Sequence, residues 1–302
     1  MFVQHVLKKC LLLWFTSRNR YLKGQILSYL PKQRAFIMSV VANCPDHLER
    51  TADKGRENVK VSALVNYVGN ASPSVKAVQL KIQDPRFKFK AGQWVDVFIP
   101  GVPVVGGFSM CSTYQELVST KLLHLAIKYS EHPPALWVCK QCKKGDNVVV
   151  RAGGDCFYDP TTQEKWQQPH QLLLIAGGIG INPILSILKE AIQNSQSGLE
   201  KVVLLYSAAR TNEAIFKETI FELAKDTRVH FELFVTQEPT TPDDDVICGR
   251  LSSAHIKRNT ASLDIEKTHC FLCGPGKMME DMQTALTEND VGIDRIYYEK
   301  WW

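Results

Sequence analysis

Residues 172–183 read Leu172-Leu173-Leu174-Ile175-Ala176-Gly177-Gly178-Ile179-Gly180-Ile181-Asn182-Pro183. Five consecutive apolar residues with turn residues directly behind them predict a short, fully buried strand. Three glycines follow. Glycine tolerates positive φ and lets a backbone approach a partner with no Cβ in between. Asn182 is a natural N-cap, and Pro183 suits the first helical position. The stretch therefore reads as strand, tight turn, helix. A helix starting so soon after a strand offers unpaired N–H groups and the positive end of its dipole, which favours a bound phosphate. The candidate contacts are Gly178, Ile179, Gly180, Ile181, Asn182 and Pro183. The spacing is G-x-G-x-x-P, with Pro183 where the standard dinucleotide fingerprint has its third glycine. The strand before and the helix after are the context that the motif requires, and they imply NADH or NADPH as ligand.

Downstream, the pattern predicts a helix over Asn182–Asn194, a strand over Lys201–Ser207, a helix over Asn212–Leu223 and a strand over Val229–Thr236. A polar loop, Glu238–Asp245, precedes a short helix near Leu251–Lys257, a strand His269–Cys273, a helix Lys277–Glu288 and a last strand Arg295–Trp301. Such alternation means βαβ units and a parallel sheet. Upstream, from about Val59 to Val150, the rhythm is shorter. Runs such as Val75–Ile82, Trp94–Ile99, Leu122–Lys128 and Asn147–Arg151 are punctuated by Asp84-Pro85, Ala91-Gly92, Gly106-Gly107 and Gly145-Asp146. Many short strands at this spacing predict an antiparallel β-barrel. The expected layout is a basic segment 1–45, a polar linker 46–60, a barrel domain 61–168 and an α/β domain 169–302.

Composition sets further bounds. A chain of 302 residues suits two domains. The net charge of +5 is concentrated at the start: residues 1–45 hold seven basic side chains and no acid, leaving 29 basic against 31 acidic residues beyond. That near-neutral body gives no reason to expect a nucleic-acid partner. The acid-free start resembles a mitochondrial presequence. A secretory signal is the alternative, although the apolar run Leu11–Phe15 falls short of the usual ~7–15 residues. No run approaches the ~20 apolar residues of a spanning helix. Nine irregularly spaced cysteines argue for a reducing compartment and against a disulfide framework. Cys139 and Cys142 form a lone C-x-x-C, so no metal site is expected. A G-x-S-x-G elbow is absent from the sequence.

Three further motifs accompany the glycine turn in order: Tyr206-Ser207-Ala208-Ala209-Arg210, Cys273-Gly274-Pro275-Gly276-Lys277-Met278, and the terminal Tyr297-Tyr298-Glu299-Lys300-Trp301-Trp302. Together they resemble the ferredoxin–NADP⁺ reductase superfamily over about residues 60–302. The resemblance implies a flavin-holding Greek-key barrel followed by a nicotinamide-binding α/β domain. It also implies hydride transfer from NAD(P)H to flavin. It places Cys273, Gly274 and Pro275 beside the nicotinamide, with Glu299 near that ring, where it would orient the cysteine or stabilise developing positive charge. Trp301 or Trp302 would cover the flavin face. Read from the residues alone, the strand ending at Ser207 carries no carboxylate to grip a ribose 2′-hydroxyl, and Arg210, with Lys217, is available to face a 2′-phosphate instead, so NADH and NADPH both stay open.

The flavin motifs depart from the pattern. Family barrels carry R-x-Y-[ST], whose aromatic lies on the flavin ring and whose Arg holds the pyrophosphate. Here the stretch is Gly106-Gly107-Phe108-Ser109, followed by Met110, Cys111 and Ser112. Phe108 can still stack, and Phe108, Ser109 and Ser112 are the candidate flavin contacts, but Gly106 removes the cation of a charge-assisted phosphate pair. The G-x-x-S phosphate cradle is replaced by His132-Pro133-Pro134-Ala135, and proline has no N–H to donate. His132 or Lys128 is the available substitute donor. Two functions follow. One is a flavoprotein reductase that uses NAD(P)H and FAD or FMN, with an unidentified acceptor. The other is an NAD(H)-binding sensor or partner-binding protein with little turnover.

Overall fold

The structure, a computed structural model, describes residues 46–239 and 245–300. The expected targeting segment 1–45 lies outside these described residues, as do Trp301 and Trp302.

The first sheet is the barrel. Its strands are β1 (Val61–Asn70), β2 (Val75–Lys81), β3 (Trp94–Phe98), β4 (Gly106–Ser109), β5 (Leu122–Lys128) and β6 (Asn147–Gly153), in the order β4-β3-β6-β1-β2-β5. Every pairing is antiparallel. A bridge from Met110 to Leu125 links the two edges. Alternate residues point inward: Ala63 and Val65, Val78 and Leu80, Val95 and Val97, Leu123, Leu125 and Ile127, and Val148, Val150 and Ala152 share one buried cluster. That period of two is the signature of a sheet with one face on the core. Three helices decorate the barrel: α1 (His47–Arg50), α2 (Tyr114–Thr120) and α3 (Pro133–Lys140).

Residues 46–60, expected as a linker, are instead laid onto the barrel. Beyond α1 the chain pairs Arg56 with Gly153, and Glu57 N–H donates to the Ala152 carbonyl at 3.0 Å. Most of the segment's charges are exposed, but Arg56 and the buried His47 reach inward. Asp96 on β3 is fully buried and receives Arg56 Nε at 3.2 Å and Arg151 Nε at 2.8 Å, with His47 Nε2 at 3.3 Å. Burial alone would raise the Asp96 pKa. Hydrogen bonds from His47 and Arg151 and the charges of Arg56 and Arg151 outweigh it and hold the group below its ordinary value.

The second sheet is parallel throughout: β7 (His170–Gly177), β8 (Leu199–Ala208), β9 (Val229–Val235), β10 (Val246–Cys248), β11 (Thr268–Gly274) and β12 (Ile296–Lys300). Helices α4 (Ile181–Gln193), α5 (Lys217–Leu223), α6 (Ser253–Thr260) and α7 (Gly276–Thr287) connect them. The apolar run of β7 is buried on both faces. Leu172, Leu174 and Ala176 join the core that includes α4, while Leu173 and Ile175 join the core under α6 and α7. Burying each such leucine contributes about 1.5–3 kcal/mol. The helix expected over 212–223 is divided into a 3₁₀ turn, Thr211–Glu213, and α5, because Phe216 stands between them at φ 63°.

The strand order β10-β9-β8-β7-β11-β12 places β7 between β8 and β11. The chain moves to one side of β7 first and returns to its other side later. The gap between the carboxyl ends of β7 and β11 is therefore a topological switch point, where open α/β sheets take their ligands.

Candidate functional site

The two loops at the switch point are the Gly177–Gly180 turn after β7 and the Cys273–Gly276 turn after β11. They are locked together through missing side chains. A Cβ on Gly180 would overlap the Cys273 carbonyl, and one on Gly177 would lie 2.6 Å from Met278 Sδ and 2.7 Å from Pro275 Cδ. Gly178 differs. Its φ is +54°, and an added Cβ would meet nothing within 4 Å. Only Gly178, of the three glycines, turns an open backbone toward solvent.

The helix begins earlier than Asn182. A 3₁₀ turn over Gly178–Gly180 runs straight into α4, and the Ile181 N–H returns to the Gly178 and Ile179 carbonyls. The N-cap of α4 is Gly180, so the positive end of the helix dipole lies directly behind Gly178. Asn182 is not the cap; it sits within α4, 2% exposed, and its Nδ2 donates 2.7 Å across to the Ala126 carbonyl on β5. Ile181 and Pro183 are buried as well. Of the six predicted contacts, Gly178 and Ile179 line the open cleft, and the other four build the turn and seat it on the barrel. The seat is completed by Ser186 Oγ on the Ser112 carbonyl at 2.8 Å and by Lys189 Nζ on Glu116 at 2.8 Å. Glu213 also takes part, accepting from Ser72 and Ser74 at 2.7 Å each.

Two cavities meet at Gly178. The larger, about 720 Å³, runs over the ends of β7, β8 and β11, with Ala208, Pro275 and Met278 in its wall and Lys128, Arg250 and Lys277 at its edges. The smaller, about 260 Å³, adds Arg210, Glu213 and Ile179. The larger volume is that of ordinary ligand sites. Arg210 lines the smaller cavity, whereas Lys217 opens α5. Lys128, considered as a flavin donor, belongs to these cavities.

Cys273 is 3% exposed and sits in register with Glu299 on β12. Glu299 is half-buried overall, yet its Oε2 is sealed from solvent. Trp94 Nε1 is sealed too, and neither atom completes a well-aligned hydrogen bond. Burial pushes the Glu299 carboxyl up to about 8, against some pull downward from the Trp94 N–H and from Lys54. Cys156 joins this group from the barrel side. Its thiol is pushed well up by burial, with Glu299 and Cys273 close enough to add to the effect. A lone cysteine carries no sequence signal of its own, and only the fold brings it here.

The flavin-facing positions are arranged differently. Phe108 is half-buried and folds against Gly106, so a Cβ on Gly106 would lie 2.7 Å from Phe108 Cε2 and 2.7 Å from Pro134 Cβ. The two altered phosphate motifs therefore meet in space, and side chains of this chain fill the place between them. Ser109 is buried opposite Trp94. Ser112 is fully buried, its Oγ accepting from His124 N–H at 3.1 Å, which makes it part of the joint between the two sheets. Phe108 keeps only part of its ring at the surface. The phosphate grip does not fit a flavin nucleotide held in the family's manner.

A barrel packed on a parallel α/β sheet, with a glycine turn at the switch point, defines a ferredoxin reductase-like NAD-binding oxidoreductase fold. Residues 174–284 match the oxidoreductase NAD-binding domain. The chain belongs to the family of oxidoreductase NAD-binding domain-containing protein 1. The bovine member is 41% identical, the match covering 85% of this chain and 86% of that one. The human member is 40% identical, with 85% of each covered. Among solved structures, a cytochrome P450 reductase from Amycolatopsis superposes with a TM-score of 0.68 at 23% identity, over 80% of this chain and 69% of that one. A ferredoxin–NADP⁺ reductase from Neisseria gonorrhoeae, solved with FAD and NADP, gives 0.67 at 20% identity, over 80% and 99%. Among the described residues no helix is long and apolar enough to cross a membrane.

Proposed function

We propose that this chain is an NAD(P)H-dependent oxidoreductase that passes hydride from the nicotinamide to an acceptor presented at the joint between barrel and α/β domain. The observation that carries this reading is the open Gly178 backbone at the dipole end of a helix, locked by Gly180 to the Cys273 turn. The pyrophosphate belongs over Gly178, and the nicotinamide in front of Cys273, Gly274 and Pro275.

Chemistry at such a site is largely geometric, because two rings held at reactive distance need little other help. Cys273, small and buried, leaves the approach unobstructed. Glu299 keeps its proton below about pH 8. A nicotinamide bound beside it would bring positive charge there on oxidation and lower that pKa, so Glu299 would hold a proton that it can release to the reduced acceptor or to water. FAD or FMN is the first acceptor implied by the family, followed by an acceptor not yet identified. The acid-free residues 1–45 add a mitochondrial address to the proposal, tested by fusing them to a fluorescent protein.

Titration of the full chain with NADH, NADPH and NAD⁺ in a calorimeter gives heat with at least one of them, and nicotinamide absorbance then falls when an acceptor is added. Absence of heat with all three ends the proposal. The filled space at Gly106 favours one second reading, an NAD(H)-binding protein with little turnover. That reading gives heat without oxidation.

A further inference from the structure

We infer that a flavin is held here by its ring alone, with no grip on its phosphates, so that riboflavin, FMN and FAD bind about equally, weakly and exchangeably. The inference rests on the reading above, in which a flavin is the first acceptor.

Strand β4 carries the argument. Its two glycines look like positions vacated for a ligand, yet each is occupied from within the protein. Gly106 is filled by the Phe108 ring and by Pro134. Gly107 is covered from the opposite side by the His47 ring, which an added Cβ would overlap. Helix α3 opens with Pro133 and Pro134, so the two amides that would face a phosphate first are missing. Of the cations in reach, Arg56 and Arg151 both bind Asp96, and Lys128 lines the nucleotide cleft rather than this corner. What remains is Phe108, half-buried beside this filled corner. An aromatic face stacks equally on any isoalloxazine, whatever is attached to its ribityl tail.

A bidentate Arg–phosphate pair is ordinarily worth roughly tenfold to a hundredfold in affinity. Without it, the phosphate of FMN and the ADP half of FAD add little to the ring. The full chain is titrated into riboflavin, FMN and FAD, and quenching of flavin fluorescence is followed. The three dissociation constants are expected within about threefold of one another, with little change on adding salt, since no charge pair is there to screen. Phe108→Ala weakens all three together while the heat of NADH binding, measured on the same sample, persists. FAD or FMN binding tenfold or more tighter than riboflavin, or retained through dialysis, overturns the inference. So does the absence of flavin binding in a sample that still binds NADH, a result that leaves the nicotinamide proposal standing.

Discussion

Two glycine-rich strand ends, Gly177–Gly180 after β7 and Gly106–Gly107 in β4, look alike as sequence and are opposite as structure. At the first, Gly178 faces empty space at positive φ, while its neighbours let two backbones close on each other. At the second, both glycines are filled by the protein's own rings. A glycine marks a place where a side chain is unwelcome. Whether a ligand or the protein occupies that place depends on what folds next to it.

Alanine substitutions break or sharpen this contrast. Gly180→Ala drives a methyl into the Cys273 carbonyl, a backbone atom that cannot swing aside. It should cost about 3 kcal/mol in a denaturant titration and abolish NADH binding with it. Gly107→Ala has the more mobile His47 ring as its obstacle, and a loss of about 2 kcal/mol is expected. NADH affinity stays unchanged, which a calorimeter checks.

Glu299→Gln tests the region between the two turns. The folded-state pKa of about 8 lies above the ordinary 4.5, so folding favours the protonated form. Its stabilising contribution is complete below about 4.5 and lost as pH rises through about 8. Thermal melts should show the glutamine variant matching the parent at acidic pH and exceeding it by about 1–2 kcal/mol at alkaline pH. A parallel fall of both proteins would show that Glu299 is solvated. Gly178→Ala has the smallest effect on folding, about 1 kcal/mol from the left-handed backbone alone. Its Cβ enters the cleft, so NADH binding weakens about tenfold. Unchanged binding there would remove the distinction between the two glycine turns.

Much of this was legible in the chain. Residues 172–176 read as a buried strand and are the central parallel strand, and the family resemblance pointed to Cys273-Gly274-Pro275, which stands across from it. Asn182 misled because capping chemistry is local, while its actual partner, the Ala126 carbonyl, is distant in sequence. Strand β4 has four residues, two of them glycine, and so lacks the alternation that betrays a strand. The recruitment of Cys156 to Glu299 and Cys273 depends on how the barrel meets the second sheet, which no run of neighbours encodes.

The segment leading into the barrel sets a limit on shortening the chain. His47 covers Gly107, meets Trp94 edge-on at 4.5 Å and stands beside Asp96. Each of these contacts is made by His47 itself. Cutting a few residues further strips the His47 ring from the fully buried Asp96 carboxylate, and a protein trimmed in that way would fail at the barrel before its nucleotide turn was ever tested.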